Sequence, residues 1–402
     1  MITLSKEQQS VHDDVVVWVN NYYNRSSNNR SWISVAGLAG TGKTTLIKFI
    51  TKTLVAQKDY YNIAFVTYTG KASVVLKNKL GSLSEQYYVG TIHSLIYKPI
   101  IDEYGKITGW MLKPYIDQDL IVVDEGSMVG KELWNHLLSY GKPIIVVGDH
   151  GQLPPIGSTN FSLMKEPDLI LKEIHRQALE NPIIKLSLYA RKYGSVPTKI
   201  FGREAAKIDW ILPSAKNALY NYKVGDDTQI LCGMNKTRVT LNKILRQKNN
   251  FERKEPCIGE KIICLMNNKD DFVMNGQSGY INEITLREKF LYDINMNVDG
   301  DNFERNLIVY TGGFHKEKYD VVMDEIIHDK VKRECTPGKK INVFDYGYAI
   351  SVHKSQGSEW DKVILVEERN FYQSDEDYAR WLYTGITRAK NKLLIIKNFD
   401  GR

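Results

Sequence analysis

The chain has 402 residues, 43% hydrophobic and 25% charged, with a net charge of +7. That length exceeds one ordinary core and fits two or three domains, and the composition excludes a disordered or collagen-like chain. The mild basic excess suits a solvated surface or a polyanionic partner such as nucleic acid, and the 24 tyrosines suit core packing or base stacking. The four cysteines, Cys232, Cys257, Cys264 and Cys335, form no CxxC pair and have no histidine at zinc-ligand spacing, which argues against a disulfide framework or metal cage. The opening MITLSKEQQS lacks the apolar core of a signal peptide. The longest apolar runs, such as PIIVV, fall far short of a bilayer span. No membrane partner is expected, and cytoplasm, nucleoid or a viral replication site is the default location.

In chain order, a helix is expected from Lys6 to Tyr23, then a polar loop, then the strand WISVAG running into a Gly-rich loop. TTLIKFITKTLVAQ reads as helix, NIAFVTYT as strand, KASVVLKNKL as helix, and DLIVVDE, KELWNHLLSYG and KPIIVVGD continue strand, helix, strand. Continuous apolar strands alternating with helices imply an α/β fold with parallel sheets covered on both faces. Such sheets gather ligands at the carboxyl ends of their strands.

Between Leu95 and Asp119 the alternation breaks, and YKPIIDEYGKITGWMLKP reads as an inserted β-hairpin within residues 96–116. A second α/β region starts at Arg176, with TQILC as strand and NKTRVTLNKILRQ as helix. From 276 to 337 short strands without helical periodicity form a small all-β insertion. The α/β pattern then resumes with FDYGYAISVHKSQG, DKVILVEE, a helix around DYARWLYTGITRAK, and NKLLIIKN. The expected domains are therefore 1–175, then 176–275 joined with 338–402, and the insertion 276–337 between them.

Gly37-Leu-Ala-Gly40-Thr41-Gly42-Lys43-Thr44 is a complete P-loop placed between a strand and a helix, followed by Thr45. Its glycines let backbone N–H groups wrap phosphates, Lys43 adds a point charge, and the Thr44 hydroxyl is suited to Mg²⁺. The later strand LIVV ends in Asp124-Glu125, where Asp124 is placed to hold Mg²⁺ and Glu125 to orient or deprotonate a water. After the next strand, VGDHGQLPPIG brings Gln152 within possible reach of a terminal phosphate or its attacking water.

In order, GLAGTGKTT, VTYTGKAS, TIHS, VVDEGSM, VGDHGQLPPIG, EIHRQ, MNKTRVTLN, SVHKSQGSEWDKVILV and LYTGITRAKNKLLII resemble the successive motifs of superfamily 1 DNA helicases. The LPPIG and SVHKSQGSE segments are most similar to the RecD-like branch, which includes the phage helicase Dda. The resemblance implies two RecA-like domains that bind ATP and Mg²⁺, a β-hairpin insertion in the first and a small SH3-like insertion in the second. It implies Arg176 and Arg388 as arginine fingers, and Gln8, in LSKEQ, as the reader of the adenine edge. Gly357 and Glu359 are implied near the nucleotide, with Glu359 on the ribose. The strand contacts implied are Thr69, Gly70, Lys71, Thr91, His93, Asn235, Lys236, His353, Lys354 and Ser355, and the hairpin residues Tyr104 and Trp110 are implied to form a strand-separating pin. Gly126 departs from the family pattern, which has Ala or Val there, and is expected to loosen its loop.

The activity implied is an ATP-driven helicase that tracks single-stranded DNA 5′→3′, acts on forks as a monomer and works beside replication or recombination proteins. A translocase that displaces proteins without unwinding, an RNA-directed helicase and a non-catalytic nucleic-acid module are the rivals. The last of these predicts loss of Lys43, Glu125 or a finger arginine, and all are present.

Overall fold

A computed structural model of the chain describes residues 3–400 except 25–29, 58–61, 102–106, 155–160, 176–179, 224, 226, 267, 269–270, 272, 274, 289, 299–303 and 318–340. The chain divides into two compact units, Met1–Lys185 and Leu186–Arg402. Among the described residues no helix is long and apolar enough to cross a membrane, and Cys232, Cys257 and Cys264 are free thiols.

In the first unit, helix α1 (Lys6–Tyr23) starts where Ser5 and Gln8 cap each other: the Ser5 hydroxyl accepts from the Gln8 N–H and Gln8 Oε1 from the Ser5 N–H. The chain continues through β1 (Trp32–Gly37), α2 (Lys43–Gln57), β2 (Ile63–Thr67), α3 (Gly70–Leu80), the single turn α4 (Leu83–Gln86), β3 (Tyr88–Thr91) and α5 (Ile92–Ile96). Then follow β4 (Tyr97–Ile101), β5 (Ile107–Leu112), β6 (Leu120–Val123), α6 (Lys131–Leu138), β7 (Ile144–Gly148) and β8 (Leu169–Leu171). The sheet runs β3-β2-β6-β7-β1-β8 with every pairing parallel.

Strand alternation sorts the sheet's side chains into two cores. Val35, Phe65, Val122 and Val147 pack with Val15, Leu46 and Leu54 of α1 and α2. Ala36, Val66, Val123 and Val146 pack with Ile92 and Leu133 of α5 and α6. Burial on both faces explains why these strands read as unbroken apolar runs. β4 and β5 form a separate antiparallel pair between α5 and β6, with Pro99 opposite Trp110.

The division after Lys185 falls inside α7 (Pro182–Tyr193). The second unit follows with β9 (Ile200–Phe201), β10 (Ala205–Asp209), α8 (Pro213–Tyr220), β11 (Thr228–Cys232) and α9 (Asn235–Lys248). Five further strands, β12 (Lys261–Cys264), β13 (Ser278–Glu288), β14 (Leu291–Val298), β15 (Glu304–Tyr310) and β16 (Asn342–Tyr346), close into a barrel. After β17 (Ala349–Ser351) come β18 (Trp360–Val366), α10 (Asp375–Ile386) and β19 (Ala389–Lys397). The open sheet is ordered β17-β11-β18-β19-β10-β9, parallel apart from β9.

The barrel extends past the 276–337 expected from sequence, because β12 precedes that segment and β16 follows it. Lys261–Cys264 is wholly buried and resembles a sheet strand in composition, although it pairs antiparallel with β13 and β16. Within 276–337 the stretch YDVVMDE, which also reads as a strand, lies outside the described residues. Barrel and open sheet share one core, in which Ile262, Ile294, Val309 and Phe344 pack with Ile230, Leu241 and Leu245.

Two buried ion pairs tie α9 to the barrel. Arg246 grips Glu260 through two bonds of 2.6 and 2.9 Å and lies 4.1 Å from the Tyr346 ring centre, while Arg238 pairs with Asp345 of β16. Gly279 lies where a Cβ would stand 2.0 Å from the Asn297 carbonyl oxygen. Gly279→Ala is therefore expected to destabilise the protein by about 1–3 kcal/mol through overpacking against backbone, as read from a denaturant midpoint at unchanged slope.

Candidate functional site

Each strand of the first sheet delivers its loop to the carboxyl edge, where unpaired backbone groups and side chains gather. β1 ends in the P-loop. Gly37 is confined, because a Cβ there would lie 2.4 Å from Thr41 Oγ1. Gly40 and Gly42 take φ values of 85° and 77°, in the left-handed region that glycine enters without steric cost. Lys43 Nζ donates to the carbonyls of Gly37 (2.7 Å) and Leu38 (3.1 Å), with Asp149 Oδ2 3.9 Å away. Thr44 and Thr45 open α2 just behind it, half-buried.

β6 delivers Asp124 and Glu125. Asp124 Oδ1 accepts from the Glu125 N–H at 2.9 Å, and Glu125 has φ 54°, a conformation costly for a non-glycine residue and concentrated at functional sites. β7 delivers Asp149, whose Oδ1 accepts from the Gly151 N–H at 2.8 Å, and then Gln152. Gln152 is buried, and its Oε1 has no hydrogen-bond partner; the same holds for the Ser127 hydroxyl in DEGSM. An orphaned buried amide oxygen is rare and costly, so the Gln152 carbonyl is suited to an incoming donor or ion.

Gly126 departs from its expectation. It is buried, and a Cβ there would stand 2.4 Å from Val146 Cγ1 and 3.3 Å from the Val147 carbonyl oxygen. Glycine at this position lets the loop approach β7 closely rather than loosening it.

Gln8 lies against the P-loop, 2% exposed. Its Nε2 donates to the Thr41 carbonyl (3.0 Å) and sits 2.8 Å from His175 Nε2, which therefore accepts. The His175 N–H in turn donates to the Gly40 carbonyl at 3.2 Å. To donate to a base edge, Gln8 Nε2 must exchange one of these bonds. Sequence reasoning passed over His175, although it stands inside the EIHRQ segment. Arg176 itself lies outside the described residues, as does Tyr104, and for Trp110 only the backbone pairing in β5 is described.

The strand-contact candidates of the first unit cluster at helix starts. Thr69 caps α3 by accepting from the Ala72 N–H, with Gly70 and Lys71 in the first turn. Thr91 caps α5, and His93 stacks on Tyr97 at 5.8 Å, with Tyr68 edge-on at 6.0 Å.

In the second unit Asn235 and Lys236 open α9, and Asn235 Oδ1 accepts from Arg238 Nε at 3.4 Å. His353, Lys354 and Ser355 form a 3-10 turn capped by Ser351. Ser355 is fully buried, and its hydroxyl donates to the Val352 carbonyl at 2.7 Å, so it serves the turn. Burial pushes His353 below the ordinary histidine range. Burial first, then the nearby Arg238 guanidinium, pulls Lys354 down to about 8. Gly357 has φ 70°, and Glu359 is half-buried. Arg388 is buried, donating to the carbonyls of Thr384 (3.0 Å) and Ser358 (3.2 Å) and to the Thr387 hydroxyl (3.0 Å). Arg388 thus braces the loop that carries Glu359. Among the described residues no group of three or more His, Cys, Asp or Glu is placed to hold a metal ion.

An AAA domain model matches residues 23–158, and a UvrD-like helicase C-terminal domain model matches residues 346–396. The chain is 26% identical over 412 residues to the ATP-dependent RecD2 DNA helicase of Deinococcus radiodurans, covering 97% of this chain and 48% of that protein. It is 24% identical over 421 residues to the ATP-dependent DNA helicase dda of Enterobacteria phage T4, covering 89% and 92%. The chain therefore spans about half the length of RecD2, and 37% and 31% of two other curated relatives. A Pif1 helicase from Bacteroides, solved with ADP-AlF3 and ssDNA, shares the fold at TM-score 0.51 and 18% identity, covering 99% of this chain and 93% of that one. Two RecA-like units account for the two open parallel sheets.

Between pH 8 and the ordinary lysine value of 10.5, the folded state binds fewer protons at Lys354 than the unfolded state does. This group's contribution to stability therefore rises with pH through that window. Lys354→Met should stabilise the protein most below pH 8 and progressively less toward pH 10.5, as read from paired denaturation curves.

Proposed function

Because the chain belongs to the superfamily 1B helicases of the RecD, Pif1 and Dda type, we propose that it hydrolyses ATP to move along single-stranded DNA, 5′→3′, and to open duplex ahead of it. The observation that carries this reading is one convergence: the P-loop, Asp124, Glu125 and the unsatisfied Gln152 carbonyl share the carboxyl edge of one parallel sheet. RecD2 and Dda are named ATP-dependent DNA helicases, and the Pif1 structure holds single-stranded DNA, which supports the same substrate here.

In this mechanism Lys43 leaves the Gly37 and Leu38 carbonyls for the phosphates, and the P-loop amides neutralise their charge. Glu125 takes the proton of the attacking water, which Gln152 orients in line with the bond to the leaving ADP. The Thr44 hydroxyl and the Asp124 carboxylate would hold Mg²⁺, which needs few protein ligands when phosphates and waters complete its shell; the orphaned Gln152 oxygen fits such a polar, ion-bearing site. Bound there, the ion neutralises charge developing on the phosphate oxygens. Arg176 and Arg388 serve as arginine fingers, worth about 10³–10⁵ in rate, Arg388 on leaving the Thr384 and Ser358 carbonyls that hold it. Gln8 supplies adenine selectivity, and Gly357 and Glu359 lie on the nucleotide side.

On the strand side, Thr69, Gly70, Lys71, Thr91 and His93 in the first unit, and Asn235, Lys236, His353 and Lys354 in the second, grip phosphates without reading sequence. The β4–β5 pair, with Tyr104 and Trp110, acts as the separating pin. The enzyme works as a monomer on fork DNA, alongside replication or recombination proteins.

Unwinding of one duplex bearing either a 5′ or a 3′ single-stranded tail tests the proposal. Only the 5′-tailed duplex should open, and Lys43→Ala should abolish opening while leaving strand binding measurable. Opening of the 3′-tailed duplex alone overturns the polarity. Strand-stimulated hydrolysis without any opening would instead identify a translocase, and preference for an RNA tail would identify an RNA-directed helicase.

A further inference from the structure

The second unit contains a cavity of about 390 Å³ that none of the nucleotide or strand residues above lines. It lies across β11, β18, β19 and β10, where register sets Thr228 beside Lys362, Lys362 beside Lys392, and Ala205 beside Leu393. Small side chains at Ala205, Ala206 and Ala218 leave the space open. Alternation identifies the face. Lys362 continues the row of Ile364 and Val366, and Lys392 that of Leu394 and Ile396, the rows that pack with Ala215 and Leu219 of α8. The other face is closed by α10, whose Gly385 packs against Leu365.

The chemistry of the rim is one-sided. Arg203, Lys362 and Lys392 surround the apolar floor, against the single carboxylate of Glu204, which already accepts from the Arg203 N–H at 2.9 Å. None of the three cations has a carboxylate partner among the described residues. Beside the cavity, β9 is a two-residue edge strand, and its Ile200 is 73% exposed. A cavity with room for apolar side chains, a cationic rim and the exposed Ile200 beside it together match a peptide that carries carboxylates next to apolar residues.

We propose that this cavity is a docking site for an acidic peptide segment of a partner protein. An aliphatic or aromatic side chain enters the alanine-lined hole, and neighbouring aspartates or glutamates pair with Arg203, Lys362 and Lys392. A nucleic-acid backbone matches the rim but leaves the alanine floor without a function.

The test uses the full chain and two fluorescein-labelled peptides, one with aspartates on both sides of a central leucine and one with alanine in its place. Anisotropy should show saturable binding of the leucine peptide and about tenfold weaker binding of the alanine peptide. Lys362→Glu combined with Lys392→Glu should weaken the leucine peptide at least tenfold, about 1.4 kcal/mol, and Ala218→Leu, which narrows the hole and keeps the charges, should weaken its binding at least tenfold as well. ATP hydrolysis and oligo-dT binding at wild-type levels in both variants show that fold and motor are intact. Equal binding of the two peptides, undiminished binding by Ala218→Leu, or no saturable binding overturns the proposal. Loss of oligo-dT binding in the double charge reversal overturns it too, and reassigns the rim to nucleic acid.

Discussion

The turn between Gly37 and Lys43 is the constraint on which the first unit's chemistry depends. Backbone amides can face a phosphate only if the chain doubles back tightly, and the spaces at Gly37 and Gly42 are already occupied. A Cβ at either position would lie 2.4 Å from a neighbouring atom, Thr41 Oγ1 in one case and Gln8 Nε2 in the other. The loop is also held from outside, by Gln8 on the Thr41 carbonyl and by the His175 N–H on the Gly40 carbonyl. Helix α1 and the segment after β8 thus converge on the same few peptide units. Nucleotide contact and local structure are therefore not separable here, since the groups that shape the loop are those proposed to engage the nucleotide.

The second unit is organised around buried charge rather than glycine. Arg238 and Arg246 project from α9 onto Asp345 and Glu260, and both acids belong to the barrel side of the shared core. Breaking one member of such a pair costs far more than the pair contributes, because the remaining charge is left buried. Asn235 and Lys354, both strand-contact candidates, adjoin Arg238: one bonds its Nε, and the other feels its charge. Arg238 thus touches both the barrel and two of the strand-contact candidates.

Much of this was legible in the sequence, and the misses have physical causes. Helix α1 and strand β1 were expected at the bounds the structure shows, because Ser5 caps the one and the other is a short apolar run. β6 and β7 were readable because burial on both faces leaves no polar residue in them. β10 was not, because AAKID is short and half-polar, and its role shows only in its register with β19. β12 and β16 were assigned to the α/β framework because full burial in a barrel and in a sheet yields the same apolar run. The Arg238–Asp345 pair joins positions too far apart in sequence for any local pattern to reveal. Gly126 was misread as a loosening because only the structure shows Val146 in contact with it. Of the candidate site, the strand ends that carry the P-loop, Asp124 and Glu125 were legible, whereas the burial of Arg388 and Ser355 was not.

The central claim is that Glu125, held in a left-handed backbone conformation at the end of β6, performs proton transfer for hydrolysis at the P-loop. Steady-state ATP hydrolysis with and without oligo-dT, measured for wild type and Glu125→Gln, addresses it directly. The account predicts that strand-stimulated hydrolysis falls by about 10²–10⁴-fold, the usual range for a positioned general base, while nucleotide binding persists. Hydrolysis by Glu125→Gln near the wild-type rate would contradict it.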